Sequence, residues 1–254
     1  MIYFWFILGL VVGSFLNVCI YRLPREESII WPSSHCPRCG KDLRPLDLIP
    51  LISFFLLRGR CRSCGEKISP RYPLVELLTG CGFVGVFILS GGEFVPLIFQ
   101  SVFLSALIVI FFVDLEHSVI PDSASYLGIL AGLLYNFLFG WPVFLSALGG
   151  ALLGYLILYL ISLAGRLYYK KDVLGDGDLY LAVVLGAWLG WGGVLAAIFL
   201  SYLLAALVLL TLLLSGRVKF GQYVPFGPAL AAGGLITLFF GPQLIGFYLE
   251  KFWL

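Results

Sequence analysis

Two aspartates stand where an apolar chain should carry no charge. Asp114 follows the apolar run 108–113, and Asp178 closes the tetrapeptide Gly175-Asp176-Gly177-Asp178 just before Leu179-Tyr180-Leu181. A carboxylate at the mouth of a membrane span is expensive and therefore points to function. Two such acids at one depth can share a proton and titrate as a unit. The ionised member would activate water while the protonated one polarises a scissile carbonyl, as in acid proteolysis. Rival hydrolytic signatures are missing, since the sequence contains no H-E-x-x-H, no G-x-S-x-G and only two histidines.

A second constellation is built from sulfur. Cys36-Pro37-Arg38-Cys39-Gly40 and Cys61-Arg62-Ser63-Cys64-Gly65 are two C-x-x-C-G knuckles. Each lets two thiolates grip one ion while the glycine takes the turn, so Cys36, Cys39, Cys61 and Cys64 are predicted to hold a structural zinc ion with no open coordination position. Disulfides are the alternative, but they do not suit the reducing side of a membrane, where topology places this segment. Cys19 and Cys81 fall inside apolar runs and read as small core residues.

The elements that must position these groups follow from composition. The chain is 61% hydrophobic and 12% charged with a mean hydropathy of +1.02, which excludes a water-soluble domain. It reads as an all-α polytopic membrane protein with about eight transmembrane helices near 1–21, 73–90, 95–113, 123–140, 143–165, 178–190, 193–215 and 225–248. The sixth is short, ending in Trp188-Leu-Gly-Trp-Gly-Gly193. Residues 1–21 lack a basic leader and a small-residue cleavage site, so they read as a retained first span. Three regions result: a first span over 1–22, a small cytoplasmic tetracysteine insertion over 23–72, and a transmembrane core over 73–254. The apolar stretch 46–57 is too short to span and is expected on the membrane face or in the insertion's small core.

The positive-inside rule orients the chain. With the N-terminus outside, the loops 22–72, 114–122, 166–177 and 216–224 are cytoplasmic and hold every lysine and arginine except Lys251. Asp114 and Asp178 then lie together at the cytoplasmic edge. The basic excess is thus a topology signal, and the net charge of +2 gives no nucleic-acid footprint. The expected surroundings are the lipid bilayer, and the oligomeric state has no signature.

Other residues carry two readings each. Asp178 could cap the helix that it begins, but the flanking glycines, the boundary and a partner acid favour catalysis. Gly175 and Gly177 would let the chain turn tightly around Asp176 and let a substrate backbone approach. Asp122, after Pro121, is expected to cap a helix beside the site. Pro225 and Gly227, within Val224-Pro-Phe-Gly-Pro228, read either as a broken helix start or as a loop lining the dyad. Gly13-Ser14 and Asn17 are expected to let helices approach closely. Glu76, about one turn inside the second span, reads from its position as an interface acid that snorkels or pairs with Arg71. A transporter using Asp114 and Asp178 as a proton or cation relay is the strongest rival from another class, though its acids belong near the midplane of repeated halves. A zinc-stabilised scaffold whose acids only cap helices is the third.

Six blocks in order carry a resemblance: Gly13 to Pro24, the paired knuckles, Ile68 to Gly80, Asp114 to Asp122, Gly175 to Asp178, and Val224 to Pro228. The chain resembles the bacterial type IV prepilin peptidases, the leader peptidase/N-methyltransferases of type IV pili and type II secretion. The resemblance implies that Asp114 and Asp178 are the catalytic aspartates of a G-x-G-D membrane protease in the cell inner membrane. It implies cleavage of a basic leader from single-span prepilins or pseudopilins at the cytoplasmic face, then methylation of the new N-terminus with S-adenosylmethionine. Some relatives lack the cysteine insertion, and the four cysteines here favour the bifunctional form. No nucleotide-binding fingerprint accompanies that second activity, so Glu76 and the insertion are its candidate contributors.

Overall fold

The computed structural model describes residues 1–171, 173–219, 222 and 224–252. Eight α-helices occur among them: α1 (Ile2–Arg22), α2 (Ile52–Leu56), α3 (Arg71–Leu89), α4 (Phe94–His117), α5 (Asp122–Leu138), α6 (Trp141–Tyr169), α7 (Asp176–Leu214) and α8 (Gly227–Phe252). No strand is present among the described residues. Six of these helices, all but α2 and α5, are long and apolar enough to cross a membrane. Many of their leucines, Leu152, Leu160, Leu207 and Leu210 among them, stay exposed, as expected of a multi-pass protein whose helices face lipid. Each predicted apolar run falls on a helix. The run 123–140 becomes the 17-residue α5, and the runs 178–190 and 193–215 merge into α7.

The predicted division between these two runs persists as a kink inside α7. At 39 residues and about 1.5 Å per residue, a straight α7 would reach roughly 58 Å, nearly twice the ~30 Å hydrocarbon core. The helix breaks at Gly190, whose φ of 69° and ψ of −177° are non-helical, a combination that only glycine adopts without strain. The predicted interruption is therefore real but takes a single residue.

The chain divides into two compact units, Met1–Val109 and Ile110–Leu254, with the boundary inside α4. In the first unit, α1 lies against α3. A Cβ on Gly9 would stand 2.8 Å from the Gly80 Cα, and one on Gly13 would stand 2.7 Å from the Glu76 Cα. Small residues four apart thus bring the two backbones together, as in small-xxx-small membrane packing.

In the second unit, α7 is the central element and α5, α6 and α8 pack on it. The closest approach is between Gly150 of α6 and Gly186 of α7, whose backbones leave no room for a side chain. Polar ties add direction: Trp188 Nε1 donates to the Gly128 carbonyl at 2.8 Å, and Asn136 Nδ2 donates to the Ala187 carbonyl at 2.8 Å. Gly186→Val should force α6 and α7 apart and cost about 1–3 kcal/mol or more, read as a lower thermal midpoint in detergent. An unchanged midpoint would contradict the packing.

The insertion has almost no core. Cys36 is the only buried residue between 23 and 70. Stretch 46–57 folds as a 3-10 turn (Pro45–Leu48) followed by α2, and Leu46, Ile52, Phe55 and Leu56 remain exposed. Of the two expected places for this stretch, the core is thus the one it does not fill. Polar contacts tie it down instead: Arg62 meets Asp47 Oδ1 through Nε at 2.9 Å and Nη2 at 2.8 Å. The Arg62 hydrogen bond holds the Asp47 carboxyl below the ordinary carboxylate range. A depressed acid contributes its stability above its unfolded value, about 3.9, and loses it as the pH falls through the folded value. Amide exchange around 44–62, corrected for its intrinsic pH dependence, should rise below about pH 4 in the native chain and change less in Asp47→Asn. Equal profiles for both chains would remove the ion pair from this account.

Candidate active site and metal centre

Asp114 lies in the last turn of α4 and Asp178 in the first turn of α7, and both are buried, at 4% and 6% exposure. They are close enough to interact electrostatically. Asp178 Oδ2 accepts the Gly175 N–H at 3.2 Å. This bond explains why α7 begins at Asp176, two residues before the expected start at Asp178: the carboxylate at the third helical position satisfies the donor before the helix. Asp114 Oδ2 is buried without a well-formed hydrogen bond among the described residues, and the backbone amide of Gly227 is the one donor beside this carboxyl. A carboxylate oxygen left so poorly satisfied is costly to fold around, and such groups concentrate at functional sites.

The glycines of the region have separate tasks. A Cβ on Gly177 would stand 2.9 Å from the Ile120 Cβ, and one on Gly227 would stand 2.5 Å from Asp114 Oδ2 and 3.1 Å from Ile120 Cδ1. Ile120 therefore wedges between the first turn of α7 and the first turn of α8, and both glycines permit that closeness. Gly175 is uncrowded, its Cβ position 3.8 Å from Asp178 Oδ2. Pro225 is half-buried just ahead of α8. Gly227 opens α8 against Asp114, which places it beside the acids rather than in a separate broken helix.

Two predicted neighbours stay outside this group. Asp122 does start α5, but its side chain makes no capping hydrogen bond. It and Asp176 are exposed and act electrostatically on Tyr180. Asp122 therefore adds only favourable charge to a helix start, and Asp176 is a helical residue rather than the apex of a tight turn. Conversely, Ile120 and Tyr202 belong to the surroundings of the acids without any sequence signal. Tyr202 stacks on Phe226 with ring centroids 4.9 Å apart and lies within electrostatic reach of Asp178.

The four cysteine sulfurs gather in the first unit, all within 4.8 Å of one another. Cys36 and Cys64 Sγ are 3.9 Å apart, against about 3.8 Å for two sulfurs on a tetrahedral ion with 2.3 Å zinc–sulfur bonds. All are free thiols. The two knuckles repeat one geometry. The Cys36 N–H donates to the Lys41 carbonyl at 2.9 Å and the Cys61 N–H to the Glu66 carbonyl at 2.8 Å, while Gly40 and Gly65 take φ values of 68° and 72°. The amides of Cys64 and Ser63 hold the Cys61 thiol down at about 7, while, against the pull of the Glu66 amide, desolvation and the neighbouring sulfurs push Cys64 up to about 11, so the cluster gives up its protons unequally. The donor set fits a four-coordinate metal ion.

Glu76 is buried in α3 at 6% exposure, and its Oε2 accepts the Leu51 N–H at 2.8 Å. It is therefore tied to the insertion's backbone rather than reaching up to the membrane surface.

Comparison with known proteins places both regions. The family model described as Bacterial Peptidase A24 N-terminal domain matches residues 7–90, and that of the Type IV leader peptidase family matches residues 101–210. The first range holds the four cysteines and Glu76, and the second holds Asp114 and Asp178. The chain is similar to a prepilin leader peptidase/N-methyltransferase of Myxococcus xanthus, 44% identical over 84% of this chain and 64% of that protein, so it spans under two thirds of that relative's length. Proteins of the same description from Burkholderia pseudomallei (37% identical, 94% of this chain and 85% of the relative) and Aeromonas hydrophila (36%, 97% and 93%) are covered more fully. No solved structure matches the chain.

Proposed function

Because the chain belongs to the type IV leader peptidase family, we propose that it cleaves the leader of prepilins or pseudopilins with Asp114 and Asp178 and then N-methylates the new N-terminus. The observation that carries this reading is that two buried acids from the terminal turns of α4 and α7 lie close enough to interact, with Gly227 set against Asp114. Buried like charges do not both ionise easily, so the dyad keeps one proton. The ionised acid takes a proton from water, which attacks the scissile carbonyl, and the protonated acid donates to the developing oxyanion. Ile120 packs against Gly177 and Gly227 beside Asp114, so this wall of the site is formed without side chains from either glycine.

The positions of the acids also weigh against transport. Both lie in terminal turns, where a peptide at the membrane surface can reach them, rather than at mid-helix. Together with the basic loops, this supports a dyad at the cytoplasmic face of the inner membrane, acting on single-span substrates whose leader junction lies at that level. In the same reading residues 1–22 are the first span, 23–72 the cytoplasmic metal module and 73–254 the membrane core. Gly177 and Gly227 pack around the dyad, Gly175 and Pro225 lie just ahead of α7 and α8, and Asp122 and Asp176 add exposed negative charge nearby. Cys36, Cys39, Cys61 and Cys64 hold zinc, which has a closed coordination shell and so serves structure. S-adenosylmethionine supplies the methyl group, and Glu76 contributes to that transfer.

Incubating the purified protein in detergent with a prepilin and S-adenosylmethionine tests the whole reading by mass. The expected product has lost its leader and gained one methyl group. An intact leader would refute the protease, and a cleaved but unmethylated product would refute the transferase.

A further inference from the structure

The first unit encloses a cavity of about 570 Å³ between α1, α3 and the insertion, within the roughly 300–1,000 Å³ typical of small-molecule sites. Phe15 and Tyr72 give it an aromatic wall, and its charged lining mixes the acids Asp42, Asp47 and Glu66 with a larger number of cations, Lys41 and Lys67 of the insertion among them. Besides Arg22, whose guanidinium is taken up by the Ser28, Pro32 and Ser33 carbonyls, its buried polar groups include two acceptors. Asn17, 1% exposed, donates through Nδ2 to the Tyr72 carbonyl at 3.1 Å and the Gly13 carbonyl at 3.3 Å, leaving Oδ1 buried without a partner. The second acceptor is Glu76, with the Ser14 hydroxyl beside it.

The Glu76 clamp is also strained. Leu51, whose N–H reaches the carboxylate, has a φ of 59°, a region that bulky side chains avoid and that clusters at ligand clamps. A buried carboxylate, an unpaired amide oxygen, an aromatic wall and a mixed lining with more cations than acids together suit a ligand pair with ammonium donors, a flat base and a carboxylate. They leave a purely apolar occupant unexplained, because it would strand both acceptors.

We propose that this cavity is the methyl-transfer chamber, with Glu76 receiving the α-ammonium of the mature pilin and Asn17 Oδ1 receiving a donor group of the adenosyl sulfonium. The assignment rests on the transferase reading above. The ammonium passes a proton to the Glu76 carboxylate, and the freed amine nitrogen attacks the methyl carbon of the sulfonium. The N–C bond forms as the C–S bond breaks, the electron pair returns to sulfur, and the products are a thioether and a secondary methylammonium. The proton on Glu76 then passes to water. Glu76 is a catalytic residue in this scheme, whereas Leu51 is a positioning residue that fixes its carboxylate.

Three chains test the proposal: native, Glu76→Gln, and Val18→Trp, which projects an indole into the cavity from α1. Each is assayed for leader cleavage, for methylation by mass, and for S-adenosylhomocysteine binding by calorimetry. Glu76→Gln should cleave like the native chain, bind S-adenosylhomocysteine within a few-fold of native, and methylate about 10²–10⁴-fold more slowly. Val18→Trp should cleave normally and bind S-adenosylhomocysteine at least tenfold more weakly. Native-like methylation by Glu76→Gln, or native-like binding by Val18→Trp, would overturn the chamber. Loss of cleavage along with methylation in both variants would make these residues structural and overturn it too. A native chain that cleaves without methylating would instead refute the transferase reading.

Discussion

Asp114→Asn and Asp178→Asn each slow leader cleavage by about 10²–10⁴-fold or more, the scale of a lost acid–base group. The double variant is little slower than the worse single one, because residues that act as a unit are not additive. An amide preserves shape but neither accepts a proton from water nor shares one with its neighbour. Folding should survive: in Asp178→Asn the side-chain amide carbonyl can still accept the Gly175 N–H that Asp178 Oδ2 accepts at 3.2 Å. In Asp114→Asn the side-chain carbonyl can likewise face the Gly227 backbone amide beside it. Thermal unfolding in detergent checks that point, and gel or mass analysis of a prepilin reads the rate. Cleavage by either single variant within a few-fold of native would sink the dyad. Strictly additive losses would assign the acids independent tasks.

Removing one thiolate from each knuckle, as in Cys36→Ser with Cys61→Ser, should abolish metal binding and open the insertion. Structural zinc contributes about 10–16 kcal/mol in small zinc-dependent folds, and little else can replace it here. Cys36 is the only buried residue between 23 and 70, while Ile52, Phe55 and Leu56 of α2 are exposed. The native chain should purify with about one zinc per molecule, as expected for a four-thiolate site. The variant should carry none and be cut rapidly by protease between residues 23 and 70, and chelation should reproduce this in the native chain. A metal-free native protein with free thiols and a protease-resistant insertion would contradict the prediction.

The site was legible in the sequence to the extent that its chemistry was rare there. An aspartate in an oily run and a duplicated C-x-x-C-G stand out against their background, so Asp114, Asp178 and the four cysteines could be singled out by residue type alone. Ile120 and Tyr202 could not, because one more isoleucine or tyrosine in a 61% hydrophobic chain carries no signal. Local rules failed where a longer-range contact prevailed. Gly175-Asp-Gly reads as a turn, yet the Asp178 carboxylate turns it into a helix start, and Gly177 is required by Ile120 rather than by its own backbone. Pro121-Asp122 marks a helix start correctly but not a side-chain cap. The glycine-rich run after Trp188 signals a break, but α7 resumes at once because α5, α6 and α8 hold both of its halves.

The division into the units Met1–Val109 and Ile110–Leu254 has a kinetic consequence. In the proposed scheme the cleaving acids belong to one unit and Glu76 to the other, and the amine to be methylated does not exist until the leader is cut. Cut, unmodified pilin is then an obligatory intermediate, and at that stage each molecule either escapes into the bilayer or is captured for the second reaction. The ratio of bare to methylated pilin measures that branching. Scarcity of methyl donor would shift the ratio while leaving the flux of mature subunits unchanged.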